Sequence, residues 1–150
     1  MKKNSKNKGF TLIEILVVIG IIAILATIVI IAINPARQFA QARNTQRISN
    51  LNTILNAVGQ NIADNKGIFT CASIGTPLGS ATTTIGTSGS NFACLVPTYI
   101  PSAIPVDPTN GTDADTRYEV STTTAGRFML CAPNGAETAI PGSVAICVSR

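Results

Sequence analysis

The chain has 150 residues, 45% of them apolar and only 12% charged, with no histidine and no tryptophan, so it has room for one ordinary domain or a small domain with an appended segment. Without imidazole, Ser-His-Asp and Cys-His nucleophile activation and His-ligated zinc are excluded, and most hydrolase chemistry with them. The formal charge is +4, but Lys2, Lys3, Lys6 and Lys8 supply four of the eleven cations, which leaves seven Lys and Arg against seven Asp and Glu in residues 9–150; a neutral body gives no support to nucleic-acid binding.

Residues 10–33 read FTLIEILVVIGIIAILATIVIIAI, in which Thr11, Glu14 and Thr27 are the clearly polar members. At ~1.5 Å per residue such a helix is about 36 Å long, enough to span a bilayer. A cleavable secretory signal has an apolar region of only about 7–15 residues and a small-residue cleavage site; this run is longer, and Asn34-Pro35-Ala36 is a poor site. Four lysines precede the run, and Arg37, Arg43 and Arg47 follow it, a balance that favours a cytoplasmic N-terminus. Cys71, Cys94, Cys131 and Cys147 all lie beyond the run with no C-x-x-C spacing, which suits disulfides in an oxidising compartment and places the C-terminal part outside.

Glu14 is out of place in this run. A carboxylate inside an apolar membrane helix costs roughly 2.5–3.5 kcal/mol or more, and it marks a functional position with a partner to be found. The plain alternative is a side chain near the headgroups that reaches water.

Lys8-Gly9-Phe10-Thr11-Leu12-Ile13-Glu14, after a Lys-rich leader and before an unbroken apolar run, resembles the N-terminal signature of type IV pilins and of the pseudopilins of type II secretion systems. The resemblance runs over residues 8–65. It implies cleavage by a prepilin peptidase after Gly9 on the cytoplasmic face, N-methylation of Phe10, and an apolar helix kept as filament core. It also implies pairing of Glu14 with the N-terminal amine of a neighbouring subunit. The expected partners are copies of the same chain in a helical filament, the prepilin peptidase, an inner-membrane assembly platform and, before assembly, the membrane itself; nucleic acid is not expected. The expected location is the bacterial inner membrane and, after assembly, a periplasmic pseudopilus or a cell-surface filament.

Farther along, Asn34-Pro35 predicts a kink or loosened stretch at residues 31–35. From Ala36 to Asp64, Ile48, Leu51, Leu55, Val58 and Ile62 recur at spacings of three and four, which predicts one apolar stripe on a helix, interrupted at Asn44. Asn65-Lys66-Gly67 reads as the helix stop. Residues 72–91 are rich in Gly, Ser and Thr without period and read as a loop, and the four prolines in residues 96–108 predict an extended connection. Within it, Ile104-Pro105-Val106-Asp107-Pro108 resembles a segment that precedes the sheet in pseudopilin-like proteins. Strands are predicted at Thr116–Thr122, Arg127–Ala132 and Ser143–Ser149, forming a small antiparallel meander; Phe128, Met129 and Leu130 run consecutively, as in a central strand.

Four cysteines allow three pairings, and sequence selects none. Cys131–Cys147 would link the last two strands and Cys71–Cys94 would close the Gly/Ser/Thr loop, each worth roughly 3 kcal/mol in the chain-entropy picture. The segment Asp107 to Asp115 is rich in oxygen ligands; by the same resemblance, since major pseudopilins bind calcium in a loop of this general location, Asp107, Asp113 and Asp115 are calcium candidates. Its Asn-Gly and Asp-Pro steps are equally those of an ordinary turn. Arg37, Arg43 and Arg47 read as a solvated helix face, and Glu119 and Glu137 as isolated carboxylates without acid–base partners.

The expected architecture is thus α+β: a cleaved leader (1–9), a transmembrane and filament-core helix (10–33), an amphipathic helical half (34–66), and a disulfide-bearing head (67–150) with a Gly/Ser/Thr loop and a C-terminal meander. The expected role is a non-enzymatic filament subunit, a type IV pilin or pseudopilin, with no cofactor beyond possible calcium. The alternative is a single-pass, membrane-anchored extracytoplasmic binding protein that does not polymerise.

Overall fold

The apolar run forms helix α1, Leu12–Ala32, in the computed structural model, which describes residues 9–72, 74 and 80–150. The Lys-rich leader before Gly9 and part of the Gly/Ser/Thr segment lie outside the described residues. The chain divides after Gln38 into two compact units.

In the first unit, α1 is apolar on every side and none of its residues is buried. It is long and apolar enough to cross a membrane, where lipid would supply the apolar surroundings that such a surface requires. Its mid-helix hydroxyl is internally satisfied: Thr27 Oγ1 donates to the Ala23 carbonyl at 2.8 Å, as a polar group in hydrocarbon must be. Asn34-Pro35 does more than break the helix. α1 stops at Ala32, and the Asn34 side chain accepts the Arg37 N–H at 3.3 Å while Pro35 takes the first position of a second helix, α2, Pro35–Asp64. Asn at the N-cap followed by Pro is a helix start signal, because the cap satisfies an orphan N–H and the proline has none to lose.

In the second unit, α2 lies on a four-stranded antiparallel sheet. The strands are β1 (Thr83–Thr84), β2 (Glu119–Thr122), β3 (Phe128–Ala132) and β4 (Ile146–Ser149), in spatial order β1-β2-β3-β4. The predicted three-strand meander is therefore joined by an edge strand from within the predicted loop. The β-branched run Thr82-Thr83-Thr84-Ile85 supports this strand, and Ile85 extends the pairing, donating to Tyr118 O at 2.7 Å and accepting from Thr116 N at 2.9 Å. Gly86 permits it: a Cβ there would sit 2.4 Å from the Ala114 carbonyl oxygen, and its φ is +153°. All three predicted strands start later than expected, β3 by a single residue at Phe128 and the other two by three residues. Arg117 has φ +63°, which breaks the extended run, so β2 begins at Glu119. Ser143 belongs to a turn, its hydroxyl donating to Glu137 O at 2.7 Å, so β4 begins at Ile146. β3 pairs on both sides, the central place expected of its apolar run.

The stripe of α2 that faces the sheet is Leu51, Ile54, Leu55, Ala57 and Val58, packed on Phe69, Ile85, Phe92, Leu95, Tyr118, Val120, Leu130 and Ala132. Each large apolar side chain so buried contributes about 1.5–3 kcal/mol. Ile48, predicted in the stripe, is 45% exposed; Ile54 and Ala57 take up the burial instead. Phe69 links the end of α2 to the sheet, its ring 5.5 Å from Phe92 and 5.4 Å from Phe128. α2 ends where Gly67, at φ +89°, donates to Ile62 O at 2.8 Å. Asn61 then holds the reversing chain by accepting from Thr70 N at 2.9 Å and donating to Thr70 O at 3.2 Å.

The cysteines are joined as Cys71–Cys94 and Cys131–Cys147. Cys131 and Cys147 face each other across β3 and β4, and Arg150 N donates to Phe128 O. In that register Cys131 and Cys147 form a non-hydrogen-bonded pair, the closer of the two antiparallel spacings; their Cα atoms are 4.1 Å apart.

Candidate functional site

The residues that carry chemistry fall in two places: the start of α1, and a polar cluster on α2 within the head.

Gly9 and Phe10 precede α1 and are exposed, Phe10 by 84%. Thr11 is the N-cap, with extended backbone at φ −84°, ψ 151°. Its hydroxyl accepts the Glu14 N–H at 3.3 Å, and the Glu14 carboxylate returns the interaction: Oε2 accepts Thr11 N–H at 3.0 Å and Thr11 Oγ1–H at 2.9 Å. This is a capping box, in which residues N-cap and N3 satisfy each other's orphan donors. Sequence reasoning singled out Glu14 and missed the part played by Thr11, although Thr11-Leu12-Ile13-Glu14 before an apolar run is the motif itself. The box explains how a lone carboxylate is tolerated in so apolar a helix. Its charge lies in the first turn, where the helix dipole favours an anion, and it is hydrogen-bonded within its own segment.

In the head, Arg47 is 1% exposed. Its Nε donates to Asp107 Oδ2 at 2.7 Å, Nη2 to Asp107 Oδ1 at 3.3 Å and to Thr109 Oγ1 at 2.8 Å, and Nη1 to Asn44 Oδ1 at 2.8 Å and to Glu137 Oε1. All five guanidinium N–H groups are thereby used. Arg43 grips the same Glu137 in two-pronged fashion, Nε to Oε1 at 2.7 Å and Nη2 to Oε2 at 2.8 Å. The expected solvated arginine face is corrected for these two residues, and so is the isolation of Glu137: two cations and two carboxylates neutralise one another, so each can be desolvated. Asn44, which interrupts the predicted stripe, belongs to this cluster and donates to Gly135 O at 3.0 Å. Asn50 donates to Val106 O at 3.1 Å and to the buried Tyr118 hydroxyl at 2.9 Å. One edge of α2 thus carries polar side chains that anchor the loops at residues 106–109 and 135–137. Periodicity of apolar residues does not detect such an edge.

The calcium candidates do not come together. Asp107 is 2% exposed, with both carboxylate oxygens taken by Arg47 and one also accepting Thr109 N–H at 2.9 Å. Asp113 is exposed, and Asp115 accepts the Arg117 N–H at 2.9 Å and pairs with its guanidinium at 3.4 Å. Among the described residues no three Asp, Glu, His or Cys side chains gather as metal ligands. In this arrangement Asp107 is committed to Arg47 and stands apart from Asp113 and Asp115 as a ligand.

The cluster sets an acid limit on the head. Arg43 and then Arg47, hydrogen-bonded to Glu137, outweigh its burial and hold its carboxyl at about 2, down from 4.5. Burial pushes Asp107 up, but Arg47 and the Thr109 amide outweigh that and leave it below its ordinary value. A depressed carboxylate contributes stability that is fully present above its unfolded pKa and is lost as pH falls through the folded one. For Glu137 the window is pH 4.5 down to about 2. Thermal melts in that window are expected to show the head losing stability steadily, and Glu137→Gln to flatten most of that slope while lowering stability at pH 7.

Residues 4–30 match a family model described as the prokaryotic N-terminal methylation motif, the signature of type IV pilins and pseudopilins. It marks a prepilin-peptidase substrate. The match covers Gly9, Phe10, Thr11 and Glu14 and none of the head. No curated protein and no solved structure matches the chain.

Proposed function

We propose that this chain, which carries the methylation signature of type IV pilins and pseudopilins at residues 4–30, is a structural subunit of a pilus or of a pilus-like secretion filament. The peptidase cuts between Gly9 and Phe10, Phe10 is methylated, and α1 passes from the bacterial inner membrane into the core of a helical polymer. The observation that carries the reading is the signature joined to the capping box. The signature supplies the cut site, and the box holds the Glu14 carboxylate at the N-terminus of an all-apolar helix, next to the amine that cleavage creates. A carboxylate and an ammonium, each costly in an apolar core, offset one another when subunits bring them together. Apolar packing of α1 against its copies replaces its contact with lipid, and a head-to-tail contact that does not close makes an open filament. The role is assembly, not catalytic turnover.

Electron microscopy of the sheared surface fraction and of the periplasmic contents tests the reading, with an antibody to the head. Labelled filaments in either fraction support it, and their place separates a pilus from a pseudopilus. Processed chain that stays monomeric in the membrane in an assembly-competent host overturns it in favour of an anchored binding protein. Thr11→Val is expected to weaken the helix start by about 1 kcal/mol and to lower filament yield with cleavage retained, as read by mass and yield together.

A further inference from the structure

Among the described residues beyond Gln38, four large apolar side chains are exposed: Phe39, Ile48, Ile68 and Val144. Phe39 lies two positions from Arg37 and Ile68 two positions from Lys66, both cations without an ion pair among the described residues; Ile68, 64% exposed, sits at the turn that ends α2. It follows Lys66, whose ammonium is exposed and has no side-chain partner among the described residues. Backbone hydrogen bonds tie this corner to the end of α2. Lys66 has φ +59°, a conformation lysine rarely adopts; Gly67 donates to Ile62 O at 2.8 Å, and Ile68 N donates to Asn65 O at 3.2 Å. A knob held this way loses little conformational entropy on docking.

Elsewhere on the same unit, Ile85, Phe92, Val96, Ala103 and Ile104 line a cavity of about 210 Å³ that opens to solvent. A dry apolar cavity of about 150 Å³ takes up benzene, so this one admits an isoleucine side chain. Asp113 stands among its lining residues, exposed and with no partner for its carboxylate among the described residues. Ile68 is not part of the lining: the knob and the hole are separate surfaces of one head, each carrying one unpaired charge, and the charges are of opposite sign.

We propose that Ile68 of one copy seats in the Ile85–Phe92–Ile104 cavity of a second copy, with Lys66 of the first against Asp113 of the second. This rests on the assembly reading and adds to it a head-to-head contact in the filament. The apolar fit supplies the burial, and the ion pair at the rim selects the register and disfavours other docking poses.

The test uses full-length chains in an assembly-competent host, expressing Ile68→Cys and Ala103→Cys on separate copies. Mild oxidation of assembled material is expected to give a cross-linked dimer only when both variants are present. Lys66→Asp and Asp113→Lys, each alone, are expected to lower filament yield about fivefold, and the two together to restore it to within about twofold; this arm needs no new thiol. Filaments that form normally without a dimer band, or a double reversal no better than the single ones, overturn the contact while leaving the assembly reading intact. Absence of filaments from the parent chain as well overturns the assembly reading itself.

Discussion

Glu14→Gln subunits are expected to be cleaved, inserted and folded, and to fail to polymerise if the proposed pairing of Glu14 with a neighbour's amine holds. Glutamine keeps the shape of the side chain, and its amide oxygen still accepts from Thr11, so the capping box that now holds Oε2 at 3.0 Å from Thr11 N and 2.9 Å from Thr11 Oγ1 is largely retained. What is lost is the negative charge. In the filament core the ammonium of a neighbouring Phe10 is then left uncompensated, and breaking a buried pair by removing one partner costs about 3–5 kcal/mol per contact. That cost recurs at every added subunit, so filament yield falls more than a hundredfold. Glu14→Ala removes the charge and the cap together and adds a weaker helix start, about 1 kcal/mol, with the same loss of filaments. Filament yield beside intact mass checks both variants. Cleaved Glu14→Gln chains forming filaments at parental yield would remove Glu14 from the mechanism and restore the view that it merely reaches the headgroups.

Arg47→Met has the largest expected effect on the head. Methionine fills much of the volume, yet Asp107 at 2% exposure then has no cation and Glu137 keeps only Arg43. Leaving a buried carboxylate unpaired costs about 3–5 kcal/mol, which for a unit of this size lowers the melting temperature by roughly 15 °C or more. Adding Asp107→Asn to Arg47→Met is expected to recover part of the loss, because the stranded charge is removed with its partner. Near-ultraviolet circular dichroism of the full chain in detergent, which follows the buried Tyr118, reads the head without interference from α1. A single Arg47→Met variant that melts with the parent would show the cluster to be dispensable.

What sequence could reveal here followed the physical character of each signal. α1 was legible because an unbroken apolar run needs no tertiary context, and the α+β architecture because the core stripe and the β3 run have strong periods. The break at Asn34-Pro35 and the helix beyond it are legible from the proline, but the capping of α2 by the Asn34 side chain is not, since the same two residues break one helix and start the next. β1 was missed because two residues of strand, Thr83–Thr84, depend on their pairing to β2 rather than on any pattern of their own. The greatest omission was the Arg43–Glu137–Arg47–Asp107 cluster. Its members are up to ninety-four positions apart in sequence, and a lone arginine on a helix looks the same whether it meets water or a buried carboxylate. At the N-terminus Gly9, Phe10, Thr11 and Glu14 are consecutive or nearly so, and the local motif holds the signals for the site, although the capping role of Thr11 was not read from it.

Intact mass of the chain, recovered from cells with and without an active prepilin peptidase, tests the central claim most directly. The account predicts a mass lower than the full sequence by residues 1–9 and higher by one methyl group, with Phe10 as the new N-terminus, only where the peptidase is active. A chain that keeps Lys2 to Lys8 in both backgrounds would contradict it and leave α1 as a simple membrane anchor.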